Sequence, residues 1–135
     1  MYLVDSSAWI EYLRRTGSRA DVQITELVER QSPTAGVTEP VIMELLAGAR
    51  DSADFRKLRR LTTAMPLFRI DPVCDYTEAA ALCKVLRGAG VTIRSMTDCL
   101  IAAIAWRRQA TLVHADADFD RIAERYPVQV MSLVG

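Results

Sequence analysis

The sequence predicts an α/β/α sandwich built on a mainly parallel sheet of four or five strands. Short apolar runs that suit strands alternate along the chain with longer segments of helical periodicity. Strands connected through helices form right-handed crossovers, which give a parallel sheet covered by helices on both faces. The segment 100–106 is apolar on every side, as a helix enclosed within such a fold is. A chain of 135 residues, half of them hydrophobic, suits a single domain spanning 1–135.

Five apolar runs are predicted as strands. The first ends directly at the carboxylate of Asp5, and the second follows Pro33. The fourth ends at His114, two residues before another carboxylate, Asp116. The predicted strands cover residues 2–4, 34–37, 67–70, 111–114 and 128–131.

Capping residues and helix breakers predict where the helices begin and end. Ser6 or Ser7 is suited to cap the first helix, and Thr38 is suited to cap the third. Pro40 fits the first turn of that third helix, and Gly48 is suited to end it. The predicted helices cover residues 8–14, 20–30, 39–47, 51–63, 71–88, 98–109 and 119–125.

Apolar residues at helical spacing predict the buried face of two of these helices. In the second helix they are Val22, Ile24, Leu27 and Val28. In the fifth helix they are Val73, Tyr76, Ala80, Cys83 and Leu86.

Composition and charge exclude several classes of protein. The chain has 17 Lys and Arg against 17 Asp and Glu, so any nucleic-acid contact must depend on a local patch. No apolar run approaches the ~18 residues of a membrane span, and the N-terminus has no signal-peptide pattern. The expected location is therefore the cytoplasm, with no membrane partner. One histidine and three cysteines without a C-x-x-C pair do not form a zinc site.

Four carboxylates stand out against apolar surroundings: Asp5, Glu44, Asp98 and Asp116. Two follow strands, and in a parallel α/β sheet the carboxyl ends of the strands form the functional edge. The other two lie in helices that would pack beside that edge. Each carboxylate taken singly also has a structural interpretation, such as helix capping by Asp98. Clustered together, they repel unless a cation intervenes, and oxygen ligands select Mg²⁺ or Mn²⁺.

Other sites of similar composition do not fit the sequence. Asp116, Asp118 and Asp120 match the first positions of an EF-hand loop, but Arg121 and Pro127 stand where that loop needs glycine and glutamate. A phosphate-binding glycine loop is absent from the sequence. A phosphotransfer receiver domain would need an acidic pair after the first strand and a lysine at a late strand, and the sequence has neither.

Four segments together resemble the motifs of the PIN-domain nucleases. They are DSSAWIEYL at 5–13, ELLAG at 44–48, DCLIAA at 98–103 and ADADFD at 115–120. Their order, their spacing and the chain length resemble the VapC-type toxins of bacterial toxin–antitoxin pairs. The resemblance implies a Mg²⁺- or Mn²⁺-dependent endoribonuclease in which a metal-activated water attacks RNA. It assigns the four acidic positions to Asp5, Glu44, Asp98 and Asp116, a supporting hydroxyl to Ser7 and a fifth carboxylate to Asp118.

The resemblance also implies partners. Such toxins are usually homodimers, and each is held inactive by a small VapB-type antitoxin, in larger toxin–antitoxin assemblies. We expect Arg14, Arg15 and Arg94 to contact RNA phosphates, although solvated surface charge is an equally simple interpretation of each. We expect the antitoxin tail to insert an arginine among the carboxylates. The apolar walls of its groove are predicted to be Trp9, Tyr12, Leu13, Leu45 and Leu46.

Three other functions stay open at this stage. A non-toxin PIN-type nuclease would have the same motifs. A non-catalytic RNA- or protein-binding module on the same fold would need a broken acidic set, whereas all four positions are intact here. A deoxyribonuclease with similar carboxylates would usually need additional DNA-gripping elements, for which 135 residues leave little space.

Overall fold

The computed structural model describes residues 1–30 and 35–135, and within them the chain forms strands and helices in alternation. The strands are β1 (Tyr2–Val4), β2 (Ala35–Gly36), β3 (Thr111–His114) and β4 (Val130–Ser132). The helices are α1 (Ser6–Leu13), α2 (Arg19–Glu29), α3 (Glu39–Ala47), α4 (Ser52–Ala64), α5 (Cys74–Gly88), α6 (Met96–Arg107) and α7 (Ala117–Ala123).

The four strands form one parallel sheet in the order β2-β1-β3-β4. Leu3 of β1 lies opposite Leu112 of β3, and Val4 lies opposite Val113. From β1 the chain moves outwards to β2 on one side, and β3 and β4 are added on the other. The chain therefore reverses its winding between β1 and β3, which is where α/β sheets usually carry their site. The predicted α/β/α sandwich is confirmed, with four strands.

The predicted strand at 67–70 is wrong, because within residues 1–30 and 35–135 that segment makes only one bridge, between Leu67 and Val37. The amide of Ile70, which a continuing strand would need, donates instead to Glu39 Oε1 at 2.9 Å. Pro66 precedes the bridge and has no amide hydrogen to extend the pairing backwards. The start of the second predicted strand, at Thr34, lies outside the described residues.

Gly36 is required by the close approach of this segment to β2. A Cβ at Gly36 would lie 2.4 Å from the carbonyl oxygen of Pro66 and 2.8 Å from the Phe68 ring. Both distances are far below van der Waals contact, so any side chain here would push the segment away from the sheet.

Helix α6 lies at the centre of the molecule, as its apolar sequence predicts. Every residue from Asp98 to Ala105 is buried, and the helix packs against α3, α5, α7 and β3. Only its two ends reach the surface, where Met96 is 64% exposed and Trp106 is 39% exposed.

The predicted buried faces of two helices need correction. In α5 the buried residues are Asp75, Ala79, Leu82 and Leu86. Leu86 is therefore buried as predicted and Cys83 is partly buried, whereas Val73, Tyr76 and Ala80 are exposed. The apolar pattern predicts a face displaced by one position from most of the buried residues, because the buried face includes a carboxylate, that of Asp75. Arg107 makes that burial possible by donating to both oxygens of Asp75, at 2.8 and 2.9 Å. In α2, Ile24 and Leu27 are buried as predicted, but Val22 and Val28 are exposed.

Three helices begin about two residues before their predicted starts, because residues near or within the acidic set cap them. Asp5, rather than Ser6 or Ser7, caps α1 by accepting from the amide of Ser7. Asp116 caps α7 in the same way, and Ser95 caps α6. Thr38 occupies the N-cap position of α3, but its side chain makes no capping hydrogen bond.

Among the described residues, no helix is both long enough and apolar enough to span a bilayer.

Candidate metal centre

Two of the four predicted carboxylates meet at the reversal point of the sheet. Asp5 follows β1 and Asp116 follows the adjacent β3, so parallel pairing brings the two strand ends to the same edge. The amide of Asp5 donates to the carbonyl of Val113 at 2.9 Å, which continues the pairing up to the carboxylate itself.

The Asp5 carboxylate is buried and only half satisfied. Its Oδ2 atom accepts from the amide of Ser7 at 2.9 Å and from the Ser7 hydroxyl at 2.5 Å. Its Oδ1 atom is buried and has no hydrogen-bond partner. Burial raises the pKa of Asp5 above its usual value, although the bonds from Ser7 oppose that rise. An oriented, uncompensated buried oxygen of this kind is what a cation ligand requires.

Glu44 reaches the same site from α3. Its Oε1 atom accepts from the Ser6 hydroxyl at 3.1 Å. Burial raises the pKa of Glu44, and the nearby charge of Asp5 raises it further. Two consecutive serines at the start of α1 therefore orient two different carboxylates, Ser7 holding Asp5 and Ser6 holding Glu44.

Asp98 lies in the first turn of α6, with its side chain toward the same cluster. Its pKa is raised to about 7, first by burial and then by the charges of Asp5, Asp116, Glu44 and Asp118. A carboxyl that is half protonated near neutral pH indicates unbalanced negative charge at the site. A divalent cation would relieve both the repulsion and the desolvation.

Asp116 and Asp118, at the start of α7, complete the cluster. Oxygens of Asp98, Asp116 and Asp118 all lie within 4.8 Å of one another, a spacing suited to a shared cation. Two arginines also contact this pair. Arg94 Nη2 lies 3.0 Å from Asp116 Oδ1, Arg94 Nε lies 3.2 Å from Asp118 Oδ2, and Arg121 Nη1 lies 2.5 Å from Asp118 Oδ1.

The donor set fits a hard divalent cation. It consists of carboxylate oxygens, one of them buried and unsatisfied, beside a cavity of about 320 Å³. Asp5, Glu44, Asp98 and Asp116 all line that cavity, which leaves space for water and a substrate phosphate. The structure thus brings the four predicted acidic residues together at one edge of the sheet.

Supporting contacts fix the geometry of the two strand ends. The Ser7 hydroxyl accepts from the amide of Ala115 at 3.0 Å, so one side chain connects the loop after β3 to Asp5. His114 is fully buried, and its Nδ1 accepts from the amide of Asp116 at 3.2 Å. Burial lowers the pKa of His114, which keeps the ring neutral and able to accept that bond.

The three predicted phosphate contacts lie in different surroundings. Arg14 lines the acidic cavity and is exposed at the end of α1. Arg15 is exposed in a turn with φ of 50°. Arg94 is paired with Asp116 and Asp118, as described above.

The five predicted groove residues divide between three places. Trp9, Tyr12 and Leu13 line an apolar groove of about 340 Å³, together with Leu27, Val28, Ala35, Leu61, Ala64, Met65 and Pro66. Leu45 is buried beside the acidic cavity, and Leu46 lines a separate depression near the start of α4. Trp9 is itself only 1% exposed, so it forms the floor of the groove.

Sequence reasoning did not assign site roles to Ser6 or Arg121. The position of Ser6 beside Ser7 could have indicated its role, since two adjacent hydroxyls at the start of a helix face different directions and can orient different groups. Arg121 lies three residues after Asp118 on one helix, a spacing that places their side chains together.

Comparison with known proteins identifies relatives along nearly the whole chain. The family model described as PIN domain matches residues 2–125. Ribonuclease VapC11 of Mycobacterium tuberculosis is 43% identical over 132 residues, covering 98% of each chain. A VapC ribonuclease of Mycobacterium bovis is equally similar, at 43% identity over 132 residues.

Solved structures show the same fold at lower identity. VapBC2 from Rickettsia felis, bound to a DNA fragment from its promoter, aligns with a TM-score of 0.75 and 20% identity over 97% of each chain. DNA-bound VapBC from Salmonella typhimurium aligns with a TM-score of 0.77 and 16% identity, covering 98% of this chain and 97% of that one.

Proposed function

The chain belongs to the PIN-domain family, among the VapC ribonucleases, and we propose that it is a Mg²⁺- or Mn²⁺-dependent endoribonuclease acting as the toxin of a type II toxin–antitoxin pair. We also propose that residues 1–135 form one PIN domain. The observation that carries the activity is the convergence of Asp5, Glu44, Asp98 and Asp116 around one cavity, with Asp5 Oδ1 buried and unpaired. This intact acidic set argues against a non-catalytic binding module.

The proposed mechanism assigns a role to each side chain. These four carboxylates would hold a divalent cation, which would supply a water of lowered pKa and stabilise the leaving oxygen. Ser7 holds Asp5 Oδ2 and leaves Oδ1 without a hydrogen-bond partner, and Ser6 holds Oε1 of Glu44. Asp98 would be ionised with a cation bound, because the cation would offset the charges around it. Arg14, at the rim of the cavity, is placed to pair with an RNA phosphate.

The activity is tested by incubating antitoxin-free protein with total RNA in Mg²⁺, Mn²⁺ or chelator and mapping the cleavage sites. Asp5→Asn is the informative variant, because asparagine caps α1 as well as aspartate does but provides a poor ligand oxygen. Substituting groups that merely support metal ligands costs about 10–100-fold. We therefore expect Asp5→Asn to lower cleavage by at least about 100-fold, with a thermal midpoint equal to or above that of the wild type.

Glu124→Gln is the matched control, since Glu124 is an exposed carboxylate at the end of α7. It should cleave like the wild type. Well-folded Asp5→Asn that retained metal-dependent cleavage would refute the proposed site.

We further propose a VapB-type antitoxin as the partner. A tail with apolar anchors suits the groove between α1, α2 and α4, where Tyr12, Leu13 and Leu61 provide apolar surface. An arginine on that tail suits the acidic cavity and would compete there with metal and RNA. A homodimer, and larger assemblies with antitoxin, complete the proposal; light scattering at micromolar concentration measures the dimer.

A further inference from the structure

We propose that Arg94 acts as a built-in cation at Asp118 and Asp116 Oδ1, in place of a second metal ion, so that the cavity lined by Asp5, Glu44, Asp98 and Asp116 binds one divalent ion and not two. The inference rests on the proposed function and specifies how its site is loaded. It follows from a difference between the two sides of the cluster in how positive groups balance the negative charge of the carboxylates.

On the Asp116–Asp118 side, arginines already pair with three of the four carboxylate oxygens. Asp118 is 1% exposed, and both of its oxygens are paired, Oδ2 with Arg94 and Oδ1 with Arg121. Asp116 Oδ1 accepts from Arg94 Nη2 at 3.0 Å and from the amide of Asp118 at 2.9 Å. A guanidinium therefore bridges Asp116 and Asp118, the two carboxylates that would otherwise hold a cation together with Asp98.

On the Asp5–Glu44 side, the described residues form no ion pair with the carboxylates, although the exposed Arg14 also lines the cavity. Asp5 Oδ1 is buried without a partner, and Glu44 receives its hydrogen bond from a neutral serine hydroxyl. With all five carboxylates ionised, the three guanidinium groups of Arg94, Arg121 and Arg14 leave an excess of two negative charges at the site. One divalent ion neutralises that excess, whereas a second would reverse its sign unless Arg94 moved away.

The position of Arg94 also fits a role toward substrate. The backbone amide of Arg94 approaches Asp118 Oδ2 at 3.3 Å, which holds the loop before α6 against the cluster. Its side chain is 75% exposed and lines a second depression, which shares Ser7 and Asp116 with the acidic cavity. A guanidinium fixed by carboxylates can pair with a phosphate oxygen in the way a second metal ion would.

The test is the number of Mn²⁺ ions bound per chain, measured on antitoxin-free protein by calorimetric titration and by the electron paramagnetic resonance signal of free Mn²⁺. We expect one ion for the wild type and two for Arg94→Met, which keeps the aliphatic stem but frees Asp116 and Asp118. Asp118 is buried although Arg94 is exposed, so we expect Arg94→Met to lower stability, and a thermal melt checks that the variant is folded at the assay temperature. Arg15→Met, at an exposed arginine outside these ion pairs, should still bind one ion.

Two results would overturn the role of Arg94 alone: two ions bound by the wild type, or one ion of unchanged affinity bound by Arg94→Met. Loss of the single ion in Asp5→Asn would support its assignment to the Asp5 side. No ion bound by the wild type would refute the proposed metal site itself, and the role of Arg94 with it.

Discussion

Asp98→Asn should stabilise the metal-free protein at neutral and alkaline pH. The folded protein raises the pKa of Asp98 from 3.8 to about 7, through burial and four neighbouring carboxylates. Between these values the unfolded chain is ionised while the folded chain holds the proton. The folded state therefore binds more protons, and its stability falls as pH rises toward 7 and levels off above it.

The size of the effect follows from the pKa. A rise of roughly three units corresponds to about 4 kcal/mol at about 1.4 kcal/mol per unit, of which about 3 kcal/mol falls between pH 5 and 8. Because the site opens to solvent on one side, screening reduces this to about 1.5 kcal/mol. Burial raises the pKa of Asp5 and Glu44 as well, so the wild type loses further stability in the same direction.

The assay is urea unfolding at pH 5 and pH 8 in chelator, for the wild type, Asp98→Asn and the exposed-site control Glu124→Gln. Asp98→Asn should lose about 1.5 kcal/mol less than the wild type between these pH values, at an unchanged m-value. Saturating Mg²⁺ should reverse the trend in the wild type, since the ion binds the ionised carboxylates. Equal losses in the wild type and Asp98→Asn would refute the picture of an uncompensated carboxylate at this position.

Two further variants test the groove and the fold. Leu61→Asp places a charge in the apolar groove at a residue that is already 37% exposed. It should weaken antitoxin binding at least tenfold in a titration while RNA cleavage is unchanged. Undiminished binding would mean that the antitoxin uses another surface. Gly36→Ala should lower the free energy of unfolding by about 1–3 kcal/mol in urea, because its Cβ would meet the Pro66 carbonyl, and a wild-type midpoint would contradict that contact.

The sequence alone was sufficient for the general architecture and for the candidate acidic residues. Alternation of strands and helices predicted the parallel sheet, and the all-round apolar character of 100–106 predicted the central helix. Carboxylates at Asp5, Glu44, Asp98 and Asp116 were conspicuous because polar groups rarely interrupt such apolar runs without a reason. Both kinds of signal are local, so neighbouring residues along the chain are enough to reveal them.

The tertiary structure decided whatever depended on residues distant in the chain. The predicted strand at 67–70 does not form, because the amide of Ile70 donates its hydrogen bond to the Glu39 carboxylate, 31 positions away. The buried face of α5 shifted by one residue because Arg107 neutralises Asp75, a pairing that no periodicity reveals. The five predicted groove residues do not line one groove, because Leu45 and Leu46 lie on α3, away from the surface that α1, α2 and α4 share. The charge balance of the site likewise depends on Arg94 and Arg121 pairing with different oxygens of Asp118. Electrostatic energy depends on distances in space, whereas the sequence specifies only distances along the chain.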